Sequence, residues 1–147
     1  MATCGDVMTR EPACCEPADS IERIAELMKR EDIGAVPIIE SRGNRKLVGI
    51  VTDRDVVVKV VAGGRAVAGA TAADAMTKDP VTCREDADVG EAVSRMAERK
   101  VRRIPIVDDR GTLKGIIAQA DIATRVQRDK TTGELVEAIS EPGVVRK

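Results

Sequence analysis

Apolar residues fall along this chain in a pattern that runs through twice. Ile21, Ile24, Ala25, Leu27 and Met28 sit at i, i+3, i+4, i+6 and i+7, one face of an amphipathic helix. Glu22, Arg23, Glu26, Lys29 and Arg30 take the opposite face, and Asp19 or Ser20 is placed to cap the first turn. Just before it, Ala13 to Cys15 reads as a short extended segment. Ala35 to Ile39 is an apolar run with the length of a buried strand, Ser41 to Asn44 is a turn centred on Gly43, and Leu47 to Val51 is a second strand. Thr52 can cap a helix from Asp53 to about Val61, which Gly63-Gly64 ends. The order then returns. Val81 to Cys83 is extended, and Val89, Ala92, Val93, Met96 and Ala97 make a helical stripe. Ile104 to Val107 is a strand, Asp109-Arg110-Gly111 a turn, Leu113 to Ile117 a strand and Gln119 to about Gln127 a helix. Each half reads β-α-β-β-α, so the expected fold class is α/β in the broad sense (α+β).

The residues repeat along with the pattern. Asp6, Met8, Thr9, Pro12, Cys15, Met28, Pro37, Ile38, Arg42 and Gly43 recur 68 positions later, as Asp74, Met76, Thr77, Pro80, Cys83, Met96, Pro105, Ile106, Arg110 and Gly111. Leu47, Gly49, Ile50 and Asp55 recur after 66 positions, as Leu113, Gly115, Ile116 and Asp121. Two copies of so long a period are not a solenoid. They predict two similar units packed face to face, with a cleft between them. The expected organisation is a first repeat over 6–64, a linker over 65–73, a second repeat over 74–127 and a tail over 128–147. Thr71 is placed to cap a short helix through Met76. The tail is polar apart from Leu135, Val136 and Ile139, enough for one short helix.

Composition changes the picture by what it removes. There is no Phe, Tyr, Trp or His among the 147 residues. Base stacking on rings, histidine acid–base catalysis and histidine metal ligation are therefore closed routes. The net charge of −1 provides no basic field for nucleic acid. No apolar run approaches the roughly 20 residues of a membrane span, and the first residues lack a secretion-signal pattern. A cytoplasmic protein is the expectation. Cys4, Cys14, Cys15 and Cys83 form no CxxC pair, so neither a metal site nor a disulfide framework is expected.

One segment carries candidate chemistry. In Gly49-Ile50-Val51-Thr52-Asp53-Arg54-Asp55 a strand delivers Thr52 to a helix N-terminus, where backbone N–H groups favour an anion. Asp55 lies one turn on, and its carboxylate can accept from both hydroxyls of a ribose. The plainer reading is an N-cap Thr with an Asp in the first turn. In the second copy, Gly115-Ile116-Ile117-Ala118-Gln119-Ala120-Asp121, the Thr has become Ala118 while Asp121 keeps its register, which favours a role for the acid beyond capping.

The duplicated plan, the AVPII and RIPIV strands and the GIVTDRD segment resemble a tandem pair of CBS domains (a Bateman module) over residues 6 to about 126. The TDRD form is similar to small stand-alone bacterial CBS-pair proteins. The resemblance implies a pseudo-twofold sandwich with two clefts, each assembled crosswise and each open to an adenosine ligand: AMP, ADP or ATP, with NAD or S-adenosylmethionine as alternatives. Cleft one would join Ile50, Thr52, Arg54 and Asp55 to Val81, Val101, Arg102, Arg103 and Pro105. Asp55 would take the ribose, and Thr52 with the arginines the phosphate, to which guanidinium forks are suited. Cleft two would join Ile116, Ala118 and Asp121 to Ala13, Ile33, Gly34, Ala35 and Pro37. It lacks the Thr hydroxyl and the paired arginines and is expected to bind more weakly. Arg102 and Arg103 point to opposite sides of an extended segment, so one of them is also placed to reach a partner subunit.

The function expected is a non-catalytic adenosine-nucleotide sensor in signal transduction, with no obligatory cofactor. It would act as a homodimer built on the amphipathic helices and pass its state to a separate effector protein. The competing expectation is a structural or protein-interaction module with vestigial clefts. An enzyme is not expected: without His the base would have to be Asp, Glu or Lys, and no acid pair or cysteine setting stands out.

Overall fold

The computed structural model describes residues 2–125, and the short helix expected around Leu135 lies outside them. The chain opens with a one-turn helix α1 (Cys4–Val7) and a two-residue strand β1 (Thr9–Arg10). Helix α2 (Ile21–Glu31), strands β2 (Ala35–Ile39) and β3 (Leu47–Thr52) and helix α3 (Asp53–Asp55) follow, with α3 widening into a π-helical stretch over Val56–Val61. Next come α4 (Ala72–Ala75) and β4 (Thr77–Lys78). The second pass is β5 (Cys83–Arg84), α5 (Val89–Arg99), β6 (Arg103–Val107), β7 (Leu113–Ala118) and α6 (Gln119–Arg125).

Local chemistry accounts for the boundaries. The Ser20 hydroxyl accepts the Arg23 N–H at 3.1 Å and opens α2, while the Asp88 carboxylate accepts the Gly90 N–H at 2.8 Å and opens α5. Both helices stop at a left-handed residue, Asp32 (φ 54°) and Lys100 (φ 57°), 68 positions apart. The two helices bury different amounts. Val89, Ala92, Val93 and Met96 of α5 are buried, whereas α2 buries Ile21 and Ile24, half-covers Leu27 and Met28 and exposes Ala25. In the Val56–Val61 stretch β-branched crowding meets a wider winding, with i→i−5 bonds from Ala62 N–H to the Val57 carbonyl (2.8 Å) and from Arg65 N–H to the Val60 carbonyl (3.0 Å). It leaves Val57, Val58 and Val61 in solvent.

The two compact units in space are not the two repeats in sequence. One unit is Pro12–Pro80; the other combines, among the described residues, 2–11 with 81–125. Within the second, the sheet runs β1-β7-β6-β5, with β1 antiparallel to β7, β7 antiparallel to β6, and β6 parallel to β5. Within the first, β2-β3-β4 repeats that order, and a parallel bridge between Cys15 and Ile38 stands where β5 pairs with β6. Each sheet thus takes its edge strand from the leading Met-Thr segment of the other repeat. Thr77 lies opposite Ile50, and Thr9 opposite Ile116. Each unit has its own aliphatic core, one around Ile24, Ile38 and Val51, the other around Val93, Ile104 and Ile117.

A glycine on the penultimate strand makes room for each exchanged edge. A Cβ on Gly49 would meet Met76 Sδ at 2.7 Å and the Thr77 carbonyl at 3.0 Å; one on Gly115 would meet Met8 Sδ at 2.5 Å and the Thr9 carbonyl at 2.7 Å. The methionine of one repeat occupies the space the other repeat's glycine leaves open. Gly115→Ala should therefore destabilise the protein by about 1–3 kcal/mol in urea unfolding, and Gly49→Ala by less. Gly43→Ala, whose Cβ finds only Ser41 Oγ at 3.8 Å, should be neutral.

Candidate functional site

The acids singled out from the repeats share one local device. The carboxylate Oδ2 of Asp55 accepts the Thr52 N–H at 2.9 Å, and that of Asp121 accepts the Ala118 N–H at 2.9 Å. The same bond recurs at α1, from Thr3 N–H to Asp6, and at α4, from Thr71 N–H to Asp74, again at 2.9 Å. At two of the three Thr starts the hydroxyl closes the box, Thr52 Oγ1 accepting the Asp55 N–H at 3.1 Å and Thr3 Oγ1 the Asp6 N–H at 3.3 Å, while the Thr71 hydroxyl donates to the Asp74 carboxylate at 3.2 Å. Asp121 therefore serves the helix start even without a Thr, so its register alone is no argument for a second role. The pair at Asp6 and Asp74 was legible as a T-x-x-D spacing but shows no apolar periodicity.

The second oxygen of Asp55 is held as well, as that of Asp74 is by Arg65 at 3.1 Å. Lys59 Nζ lies 3.2 Å from Oδ1, and the Thr77 hydroxyl donates to the same oxygen at 3.3 Å. Lys59 also donates to the Ala75 carbonyl at 3.1 Å and reaches Thr77 Oγ1 at 3.4 Å. The helix start is thereby clasped to the segment entering β4. Asp55 is buried, at 9% exposure, whereas Asp6 and Asp74 are exposed.

The remaining expected site residues divide between the units. Ile50, Thr52, Arg54 and Asp55 lie in the Pro12–Pro80 unit with Ala13, Ile33, Gly34, Ala35 and Pro37; Val81, Val101, Arg102, Arg103 and Pro105 lie in the other with Ile116, Ala118 and Asp121. Within each unit, the motif strand meets the proline strand of its own repeat. Ile50 is opposite Pro37, Thr52 opposite Ala35, and the Asp53 N–H donates to the Gly34 carbonyl at 2.9 Å. Ile116 is likewise opposite Pro105, Ala118 opposite Arg103, and the Gln119 N–H donates to the Arg102 carbonyl at 2.9 Å. Ile33 packs against one core, and Val81 and Val101 against the other, while Ala13 is half-buried. Arg54 is exposed and Arg102 half-exposed, and neither forms an ion pair among the described residues.

Three of the four thiols, Cys4, Cys15 and Cys83, are buried. Burial, then the neighbouring Cys83, Glu91 and Asp88, pushes the Cys4 thiol up to about 12, and burial also raises Cys15 and Cys83. The Cys83 thiol lies 3.5 Å from Glu91 Oε2. Among the described residues no group of three or more His, Cys, Asp or Glu side chains could hold a metal ion. No helix among them is long and apolar enough to cross a membrane.

The chain matches the CBS domain over residues 4–62 and again over 72–128, and it belongs to the CBS-domain family as a tandem pair. YlbB of Bacillus subtilis is 36% identical over 136 residues, 92% of this chain and 90% of that protein. MK0525 of Methanopyrus kandleri is 38% identical over 118 residues, but the matched stretch spans 59% of its length. A match to inosine-5′-monophosphate dehydrogenase of Methanocaldococcus jannaschii covers 27% of that enzyme. Among solved structures, Hypoxic Response Protein I with two coordinated zinc ions superposes with a TM-score of 0.74 at 34% identity, covering 83% of this chain and 97% of that one. CBSX2 of Arabidopsis thaliana in complex with AMP gives 0.78 at 26%, covering 88% and 99%.

Asp6 and Asp74 also predict an acid response. The backbone N–H of Thr3, then its hydroxyl, holds the Asp6 carboxyl below its ordinary value; the Thr71 N–H, its hydroxyl and Arg65 do the same for Asp74. A carboxyl lowered on folding stabilises the fold above its unfolded value of about 3.9, and this is lost as pH falls through the folded value. The urea midpoint should drop on going from pH 6 to pH 3. Asp74→Asn should shrink that drop while lowering the midpoint at pH 6.

Proposed function

We propose that this chain is a non-catalytic regulatory module that binds an adenosine nucleotide, AMP, ADP or ATP, and signals through a ligand-dependent change of conformation. The observation that carries this reading is the buried Asp55 carboxylate beside the Thr52 helix start, in a tandem CBS pair similar to a protein solved with AMP. In this reading Asp55 takes the ribose, and Thr52, Arg54, Arg102 and Arg103 take phosphate. Ile50, Val81, Val101 and Pro105 hold the base. Cleft two, with Asp121, Ile116, Ala118, Ala13, Ile33, Gly34, Ala35 and Pro37, binds more weakly for want of a Thr hydroxyl. NAD and S-adenosylmethionine are the alternative ligands. Four unpaired thiols suit a reducing compartment, and we assign the protein to the cytoplasm.

One observation favours a second reading, an interaction module with vestigial clefts: the Asp55 carboxylate is already engaged within its own unit. Calorimetric titration with AMP, ADP, ATP, NAD and S-adenosylmethionine separates the two. Saturable binding of at least one ligand, weakened tenfold or more by Asp55→Ala, is the expected result. No heat with any of the five, from folded protein free of co-purified nucleotide, would establish the interaction module instead.

The module is proposed to act as a homodimer on the valine face of its first repeat. Val57, Val58 and Val61 stand 58%, 47% and 60% exposed. The corresponding positions of the second repeat are Ala123, Thr124 and Gln127. Sedimentation should give a dimer for the native chain and a monomer for Val57→Asp/Val61→Asp; a native monomer at micromolar concentration would refute the assignment.

A further inference from the structure

The role proposed for Asp55 has a local consequence, which rests on that reading. A ribose diol brings two hydrogen-bond donors, and an ionised carboxylate offers about four lone-pair sites. Three of those on Asp55 are taken, by the Thr52 N–H (2.9 Å), Lys59 Nζ (3.2 Å) and the Thr77 hydroxyl (3.3 Å). Two donors arriving at one vacant site displace a resident.

The three residents are not equally replaceable. The Thr52 N–H is fixed by the register of β3, in which Thr52 lies opposite Ala35. Lys59 carries the countercharge for a carboxylate at 9% exposure and is anchored a second time on the Ala75 carbonyl at 3.1 Å. Thr77 is exposed and neutral, and its bond is the longest of the three. Once released, its hydroxyl still has Lys59 Nζ within 3.4 Å.

We propose that Thr77 is a built-in competitor for the ribose at Asp55, so that nucleotide binding displaces its hydroxyl and loosens β4. Strand β4 meets β3 at two register pairs, Gly49–Lys78 and Ile50–Thr77, so a change at Thr77 touches half of that pairing. Thr77 also stands three residues before Pro80, where the chain leaves its unit for the other. The ligand works against this bond where it is formed and not where it is broken, which is the differential affinity any ligand-driven shift requires.

The test is AMP titration and amide hydrogen exchange on the full chain and on Thr77→Val and Thr77→Ser. Valine keeps a β-branched strand residue without the hydroxyl; serine keeps the hydroxyl. Thr77→Val should bind AMP about three- to tenfold more tightly, the worth of one hydrogen bond, and Thr77→Ser should return to native affinity. AMP should speed exchange at the Thr77 and Lys78 amides in the native chain and leave it unchanged in Thr77→Val. AMP binding by the native chain with no gain in Thr77→Val, or with no change in exchange at β4, overturns the competition and leaves the nucleotide reading standing. Absence of binding of AMP, ADP, ATP, NAD and S-adenosylmethionine alike, in the native chain and in Thr77→Val, removes both.

Discussion

The exchanged edge strand is the constraint from which the rest of this structure follows. Each sheet is completed by two residues from the other repeat's leading segment, and those residues can lie close because the strand they meet carries a glycine beneath a methionine. The exchange sets where the chain changes units, at residues 11–12 and 80–81. It also brings Thr77 to the buried carboxylate of Asp55, since the register that places Thr77 opposite Ile50 places its hydroxyl one hydrogen bond from the helix start. A partner of the candidate site's acid is thereby supplied by a segment whose sequence neighbours belong to the other repeat.

The long elements were legible because they have room to show a period. The strand over Ala35–Ile39 matches its apolar run residue for residue, and α2 begins one residue after Ser20, one of the two caps read for it. Three features were not legible, for three different reasons. Helix α1 and strand β1 are too short to carry a period, though Thr3 and Asp6 mark them by spacing. The widening after Asp55 falls in a run of valines, whose β-branching lowers helix propensity without marking a wider turn in the sequence. The exchange leaves its trace only as matched Met and Gly positions in the repeat, which say that two residues are retained together but not that they touch.

The candidate site was legible as a spacing and less so as a role. Thr52 and Asp55 stand where the spacing put them, but four acids among the described residues make the same 2.9 Å bond to a backbone N–H three residues back. Asp55 is buried where Asp6 and Asp74 are exposed, and its second oxygen meets a lysine four residues on that is tied to a carbonyl outside its own helix. The buried Asp55 carboxylate is met by a cation and two further donors, the matching that a carboxylate out of water requires.

The crossing of the chain between units also bears on ancestry. A gene for a single repeat would encode a sheet without its edge and a Met-Thr segment without a sheet to join. Such a chain can complete its fold by trading segments with a second copy of itself, as domain-swapped pairs do. The tandem arrangement is the covalent form of that trade. Duplication would have converted a fold dependent on concentration into one that a single chain completes alone, and it freed the two halves to diverge, as Thr52 and Ala118 have done.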